Sequence, residues 1–148
     1  MSKPKRATWD AGAAAAVNAR RELPKLAADY FAGVRQTLAE EPALPELHRI
    51  RLATKRLRYT LELFRPCYGP GLGVRLAALQ AVQRVLGEVN DCVLTANLLP
   101  KSTRAREFVD RRAAAKAAEF RTHWAEVFDA PGQERLWTAF LARKPRKR

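Results

Sequence analysis

The sequence has few of the residues that build disulfide frameworks, metal sites and β-sheets. Its 148 residues include two cysteines, two histidines and few β-branched side chains. Cys67 and Cys92 have no metal-like spacing to other ligands and fall among apolar residues, so we expect reduced, mostly buried thiols. Alanine and leucine dominate the apolar residues and no segment alternates between polar and apolar positions, which favours helices over strands.

The sequence also lacks long apolar runs and catalytic motifs. The apolar stretch near the start consists of alanines and one valine before two arginines, too short for a membrane span and a poor signal peptide. HExxH, P-loop and serine–histidine patterns are absent, and the acidic residues are scattered. We therefore predict a soluble cytoplasmic protein that is not an enzyme and uses no metal or cofactor.

Negative charge is scarce as well. Asp and Glu number 15 against 28 Lys and Arg, so the net charge is +13. Such an excess attracts polyanions: nucleic acid, an anionic membrane surface or inorganic phosphate chains. Arginine outnumbers lysine, and its planar guanidinium suits phosphate oxygens.

Turn residues divide the chain into helical blocks. We predict helices over residues 9–40, with Pro24 as a kink or break, and over 45–67, 72–99 and 103–128, followed by a short helix over 133–142. Long helices with short connectors predict an all-α fold, an antiparallel four-helix bundle with a short C-terminal helix, in one domain over residues 1–148. Residues 1–8 and 143–148 are expected to be basic, flexible ends; Lys144, Arg146, Lys147 and Arg148 would add nonspecific attraction to a polyanion.

Two of these helices show a clear apolar stripe, which we expect to face the core. The third helix carries Leu79, Val82, Leu86, Val89 and Val93 at helical spacing, and the fourth carries Val109, Ala113, Phe120, Trp124 and Val127.

The segment ELHRIRLATKRLRYTLELF, residues 46–64, concentrates cations on the second helix. At about 100° per residue, one stripe forms the predicted core face: Leu47, Ile50, Leu57, Leu61 and Phe64. A second apolar strip lies further round the helix: Leu52, Tyr59 and Leu63. Between them lies a row of cations that we call the basic ladder: His48, Arg51, Lys55 and Arg58. Arg49 and Arg56 point elsewhere.

Two interpretations of the basic ladder remain open. If both apolar borders pack against neighbours, the cations line a groove, and burial of like charges then requires a counter-ion such as Glu62 or a bound polyanion. If the second strip is only partly buried, the ladder is a solvated face with snorkelling side chains. The ladder spans about 15 Å of helix, a length that a chain of phosphates uses and a single phosphate does not.

The segment HRIRLATKRLRYTLELF resembles the signature of the CHAD domain, the conserved histidine α-helical domain. His48, Arg51, Lys55, Arg56 and Arg58 match its histidine and basic positions. A second block, LQAVQRVLGEVNDCVLTANLL, is similar to the family's Leu-Gly and Asn-Asp pattern through Leu86, Gly87, Asn90 and Asp91. The resemblance covers about residues 45–99.

The resemblance implies an all-helical domain that binds inorganic polyphosphate through those five matching residues and associates with polyphosphate granules. A full CHAD domain has two four-helix halves, and this chain has one such block, similar to the second half. It therefore works either as a single half or as a homodimer that rebuilds the pair. Nucleic-acid binding is the alternative function; the absence of a stacking platform or reading motif counts against it.

Other residues are weaker candidates. Arg20, Arg21 and Lys25 on the first helix, Arg84 on the third, and Arg112, Lys116 and His123 on the fourth are possible further contacts to the polyanion, with a solvated surface as the competing interpretation. We expect Asp91 to form an ion pair on or between helices, Asn90 to hydrogen-bond a neighbouring helix, and Gly87 to allow close helix approach.

Overall fold

A computed structural model describes residues 8–143, which form five α-helices. These are α1 (Ala15–Ala39), α2 (Leu47–Leu63), α3 (Gly71–Asn97), α4 (Arg104–His123) and α5 (Gln133–Ala142). No strand occurs among these residues, so the predicted all-α fold is confirmed. The predictions for the two chain ends fall outside the described residues, apart from Thr8 and Arg143.

The observed helix boundaries follow the predicted turns closely. α5 has the predicted ends, and Thr103 caps α4 through its hydroxyl, which accepts a hydrogen bond of 3.2 Å from the backbone N–H of Arg106. α1 begins at Ala15, later than predicted; the non-helical segment before it includes Trp9, whose ring packs on Phe64 with centroids 5.6 Å apart. Short 3-10 turns with a proline in the first positions flank α2 on both sides.

The predicted break at Pro24 does not occur, because α1 runs without interruption from Ala15 to Ala39 with Pro24 inside it. Proline removes one backbone hydrogen bond from a helix interior. Leu23 and Ala27 on either side of it are buried, and α1 packs along both α2 and α5. Burial of this face outweighs the missing bond, since tertiary packing supplies most of the stability of a helix in a protein.

The helices pack in sequence order around a shared core. α2 lies along α3 and α3 lies along α4, while α1 lies along α2 and α5. Aromatic rings from α1, the end of α4 and α5 fill one part of the core, with centroids 4.9–6.4 Å apart: Tyr30, Phe31, Phe120, Trp124, Phe128 and Trp137.

The predicted core stripe of α4 is wrong at its last member. A π-helical turn, Trp124–Phe128, follows α4 and contains one more residue per turn than an α-helix. The apolar face therefore passes to Phe128, which is buried, and Val127 is 58% exposed. The predicted stripe of α3 is confirmed: four of its five residues are buried, and Val93 packs against the core.

An ionic clamp holds the turn between α4 and α5 against α1. The Arg35 guanidinium donates to Asp129 with Nε at 2.8 Å from Oδ2, and lies within 3.4 Å of Glu134. These carboxylates raise the pKa of Arg35, mainly through the bond to Asp129. The clamp fixes α5 along α1.

The contact of α5 with the start of α3 can be tested with a pair of glycine substitutions. A Cβ at Gly71 would lie 2.7 Å from Cε2 of Phe140, whose ring stacks on Tyr68 and lies under Arg75. We expect Gly71→Ala to lower the free energy of unfolding by about 1–3 kcal/mol through overpacking. The measurement is chemical denaturation followed by circular dichroism.

Gly73→Ala is the matched control on the same helix. Nothing lies within 4 Å of a Cβ at Gly73. The usual preference of helices for alanine over glycine should therefore raise the free energy of unfolding, by about 0.5–1 kcal/mol. If both alanines stabilised the protein equally, the seating of Phe140 against Gly71 would be wrong.

Candidate functional site

A buried hydrogen bond sets the rotation of α2 about its own axis. The core stripe of α2 contains the expected Leu47, Ile50, Leu57 and Leu61, together with Thr54, which is fully buried. The Thr54 hydroxyl donates to the backbone oxygen of Ile50 at 2.7 Å and lies 2.7 Å from the Tyr30 hydroxyl of α1. Because a buried hydroxyl needs a partner, this contact holds the Thr54 side of α2 against α1.

This rotation turns the basic ladder toward α3. All four ladder residues are half-buried, whereas Arg49 and Arg56 are exposed. Position 56 is about 100° or more round the helix from Arg51, Lys55 and Arg58. The predicted separation of the ladder from Arg49 and Arg56 is therefore present in the structure.

Three ladder residues carry buried nitrogen atoms that lack a hydrogen-bond partner within residues 8–143. These atoms are His48 Nδ1, Arg51 Nε and Arg58 Nε. Among the described carboxylates, only Glu62 reaches the ladder, with Oε1 3.8 Å from Arg58 Nε. The Arg58 guanidinium also stacks over the Tyr59 ring at 4.7 Å. Most of the ladder's charge is thus partly withdrawn from water without a carboxylate beside it.

The second apolar strip does not form a wall in the single chain. Leu52 is 43% exposed, Tyr59 is 48% exposed and Leu63 is 79% exposed. The ladder therefore has the bundle on one side and an open apolar border on the other. Of the two interpretations, the groove whose second border packs against a neighbouring helix is not formed within one copy of the described chain, because no helix of residues 8–143 packs on this side of α2.

Helix α3 contributes the floor beside the ladder. A Cβ at Gly87 would lie 3.6 Å from Arg51 Nε, an ordinary contact, so Gly87 makes room for the Arg51 side chain rather than for a close helix backbone. Gln83 lies one turn before Gly87, and its buried Oε1 has no donor within the described chain. Sequence reasoning missed Gln83, because an isolated glutamine on a helix carries no pattern.

The cations of α1 separate from the ladder. Arg21 Nε donates to Glu22 at 2.9 Å, and Lys25 Nζ lies 3.5 Å from the same carboxylate. The bond from Arg21 lowers the pKa of Glu22. These two candidates are therefore compensated within the chain. Arg20 differs, because its Nε is buried and has no partner in residues 8–143.

The cations of α4 lie on the opposite flank of α3. Lys116 Nζ lies 2.9 Å from Glu88 on α3 and 3.2 Å from Glu119, and its bond to Glu88 lowers the pKa of that carboxyl. Positions 87 and 88 of α3 are about 100° apart, so Lys116 and Arg51 occupy different flanks. Arg84 and Arg112 are exposed near Glu88, which favours the solvated-surface interpretation for them.

Three further expectations have simple outcomes in the structure. His123 is half-buried in the last turn of α4. Because α4 packs on α3 and α3 packs on α2, this residue is separated from the ladder. Asp91 is exposed and forms no ion pair with any described residue, so the expected ion pair is wrong. Asn90 is half-buried and forms no side-chain hydrogen bond to a described residue.

Neither a metal-binding cluster nor a membrane-spanning helix is found in residues 8–143. No group of three or more His, Cys, Asp or Glu side chains in residues 8–143 is placed to hold a metal ion. None of the helices in that part of the chain has both the length and the apolar character that a membrane span requires.

The fold and the ladder together define an all-helical, strongly basic domain with a row of basic side chains on one helix flank, of which Arg58 alone has a described carboxylate within ion-pair distance. The family model of the CHAD domain matches residues 2–100, and the chain belongs to this family. The matched range contains α1 to α3, and α4 and α5 lie beyond it. No curated protein and no solved structure matches the chain.

Proposed function

We propose that this protein binds inorganic polyphosphate through the basic ladder. The observation that carries the proposal is that the ladder has few partners within the described chain. Three ladder residues have buried nitrogen atoms without a hydrogen-bond partner there, and Glu62 is the one described carboxylate within ion-pair distance of the ladder. Other cations, such as Arg35 and Lys116, have carboxylate partners of their own. A bound anion would supply the hydrogen-bond acceptors and the negative charge that the described chain does not place beside the ladder.

The shape of the ladder favours a linear ligand. His48, Arg51, Lys55 and Arg58 follow one flank of α2 over about 15 Å, with side chains at three- and four-residue steps. A phosphate chain presents anionic oxygens at regular intervals and without sequence, so a regular row of cations matches it. Arginine also donates two parallel hydrogen bonds to phosphate oxygens.

The family points in the same direction. CHAD domains are known as polyphosphate-binding domains, and this chain belongs to them. We expect binding without catalysis, in the cytoplasm and at polyphosphate granules. Arg56 matches the family pattern but lies on the exposed side of α2, and we therefore leave it out of the proposed ladder.

An aspartate at position 87 tests the proposal by supplying the ladder with an internal counter-ion. The space above Gly87 accepts a Cβ and faces Arg51 Nε at 3.6 Å. In Gly87→Asp we expect an ion pair with Arg51 that competes with the ligand and lowers polyphosphate affinity about tenfold or more, since hydrogen bonds to charged groups contribute about 1.5–3 kcal/mol. Isothermal titration with long-chain polyphosphate measures the change.

Gly73→Asp is the control for the change in net charge. It alters the charge of the same helix by the same amount, at a site with open space around it. Its affinity for polyphosphate should stay near that of the wild type. Equal losses in the two variants would mean that overall charge, not the ladder, governs binding.

We further propose that a second copy of the chain covers the exposed strip and completes the binding groove. Leu52, Tyr59 and Leu63 form an apolar border directly beside the ladder. A twofold arrangement would bring two ladders to one phosphate chain, whose charge would offset the repulsion between them.

Leu63→Glu tests this arrangement. We expect the wild type with polyphosphate to sediment as a dimer, and Leu63→Glu to sediment as a monomer with weaker binding. Val74→Glu is the control, because Val74 is similarly exposed, at 70%, on the side of α3 away from α2. A wild type that stays monomeric at every ligand concentration would refute the dimer and leave binding by a single copy intact.

A further inference from the structure

A second group of unpaired arginines lies at the end of the bundle where α2 ends, α3 begins and α5 ends. It consists of Arg20 from α1, Arg75 from α3 and Arg143 just after α5, and we call it the arginine cluster. Tyr68 and Phe140 form its base, with stacked rings 5.7 Å apart. The Tyr68 hydroxyl donates to the backbone oxygen of Leu141 at 2.9 Å, which ties this base to α5.

Arg75 is held in place without being neutralised. Its guanidinium lies over the Phe140 ring at 3.8 Å from the centroid, and Nη1 donates to the backbone oxygen of Gly71 at 3.0 Å. Its Nε is buried without a partner in the described chain. Burial, and then the like charge of Arg143, lower the pKa of Arg75.

Arg20 extends the cluster on the other side of Tyr68. Its Nε is also buried without a described partner, and its charge acts on the Tyr68 hydroxyl, whose pKa burial raises to about 12. The nearest acidic side chain in sequence, Glu22, already accepts from Arg21 and Lys25. None of the three arginines has a carboxylate within ion-pair distance among residues 8–143.

We propose that the arginine cluster is a second anion site, separate from the basic ladder, that takes a compact phosphate-bearing anion. Arg75 and Arg143 offer two neighbouring guanidinium groups to one phosphate group, and Arg20 lies further along for a second. The cluster is compact and spread over three helices, whereas the ladder is a row on one helix. A short anion with two phosphate groups therefore suits it better than a long chain.

The site is tested on a protein whose ladder has been disabled, Arg51→Glu with Arg58→Glu, using inorganic pyrophosphate as the probe. Added pyrophosphate should raise the Tm of this variant in a saturable way, since a ligand that binds the folded state stabilises it. Adding Arg143→Gln should weaken the apparent affinity about tenfold or more. Arg143 is exposed, so this substitution leaves the Phe140 packing intact.

Arg135→Gln is the matched control, because Arg135 is exposed on α5, forms no described ion pair and carries the same charge. It should leave the pyrophosphate response unchanged. No saturable rise in Tm in the ladder-disabled protein, or equal responses with Arg143→Gln and Arg135→Gln, would overturn the second site. Neither result depends on polyphosphate binding at the ladder, so failure of that function would be seen separately.

Discussion

We expect the replacement of Arg51 and Arg58 with glutamate to abolish polyphosphate binding and to leave the protein as stable as the wild type. Each arginine offers charge-assisted hydrogen bonds worth about 1.5–3 kcal/mol, so losing two lowers the affinity by about a hundredfold before repulsion is counted. The two introduced carboxylates also repel the polyanion, which lowers the affinity further. Titration calorimetry at constant ionic strength is the measurement.

The expectation that this double variant keeps its stability follows from the surroundings of the two arginines. Both have a buried Nε without a hydrogen bond inside the described chain, and their charged neighbours on the ladder are cations. A glutamate at position 51 gains Lys55 one turn later, an arrangement that favours a helix. A glutamate at position 58 faces Glu62, which costs a few tenths of a kcal/mol. We expect the free energy of unfolding to change by about 0.5 kcal/mol or less.

Arg49→Glu with Arg135→Glu is the control of equal charge change. Both arginines are exposed, and each lies in the first turn of its helix, where a carboxylate is favourable. This variant should keep most of its polyphosphate affinity. If it lost as much affinity as the ladder variant, binding would depend on net charge alone. Arg56→Glu, measured beside it, shows whether the family position on the exposed side contributes.

We expect polyphosphate affinity to rise steeply with chain length and to fall steeply with salt. Orthophosphate reaches one or two ladder residues, and a chain that spans about 15 Å reaches all four. Release of counter-ions from a flexible polyanion by the three Lys and Arg side chains of the ladder gives a slope of about −2 for log K against log salt. Between 50 and 200 mM salt, the affinity should thus fall about twentyfold. Fluorescence anisotropy with labelled chains of graded length measures both trends.

Competition separates this expectation from nucleic-acid binding. Unlabelled polyphosphate should displace the probe at a lower phosphate concentration than single-stranded RNA does, since Arg58 already stacks over one face of the Tyr59 ring beside the ladder. Equal affinity for orthophosphate and long chains would refute binding along the ladder. Stronger displacement by RNA would favour nucleic acid as the ligand.

The sequence predicted those features that depend on local spacing. Helix boundaries follow from turn residues, and the separation of Arg51 and Arg58 from Arg49 and Arg56 follows from the helical period alone. The burial of Leu52, Tyr59 and Leu63 does not follow from that period, because it depends on which neighbouring helix or second chain packs there. The structure leaves this strip exposed.

Features that depend on contacts between residues far apart in the sequence could not be predicted from local patterns. The π-helical turn after α4 places Phe128 in the core instead of Val127. No local sequence pattern predicts that this turn contains an additional residue. The arginine cluster combines positions 20, 75 and 143, which depends on the packing of α5 along α1 and of Phe140 against Gly71. The pairing of Lys116 with Glu88 likewise requires the observed packing of α4 on α3.

The hydrogen bond between Tyr30 and Thr54 also decides how the ladder's orientation responds to pH. Thr54 gives its one hydroxyl proton to the backbone oxygen of Ile50, so Tyr30 must be the donor in their shared bond. Burial raises the pKa of Tyr30 above its ordinary value near 10, and the phenol keeps its proton at every lower pH. The contribution of this bond to stability is therefore complete in acid and neutral solution and is lost only as strong alkali ionises the phenol. Across the physiological range, α2 keeps the same rotation, and the ladder keeps the same direction.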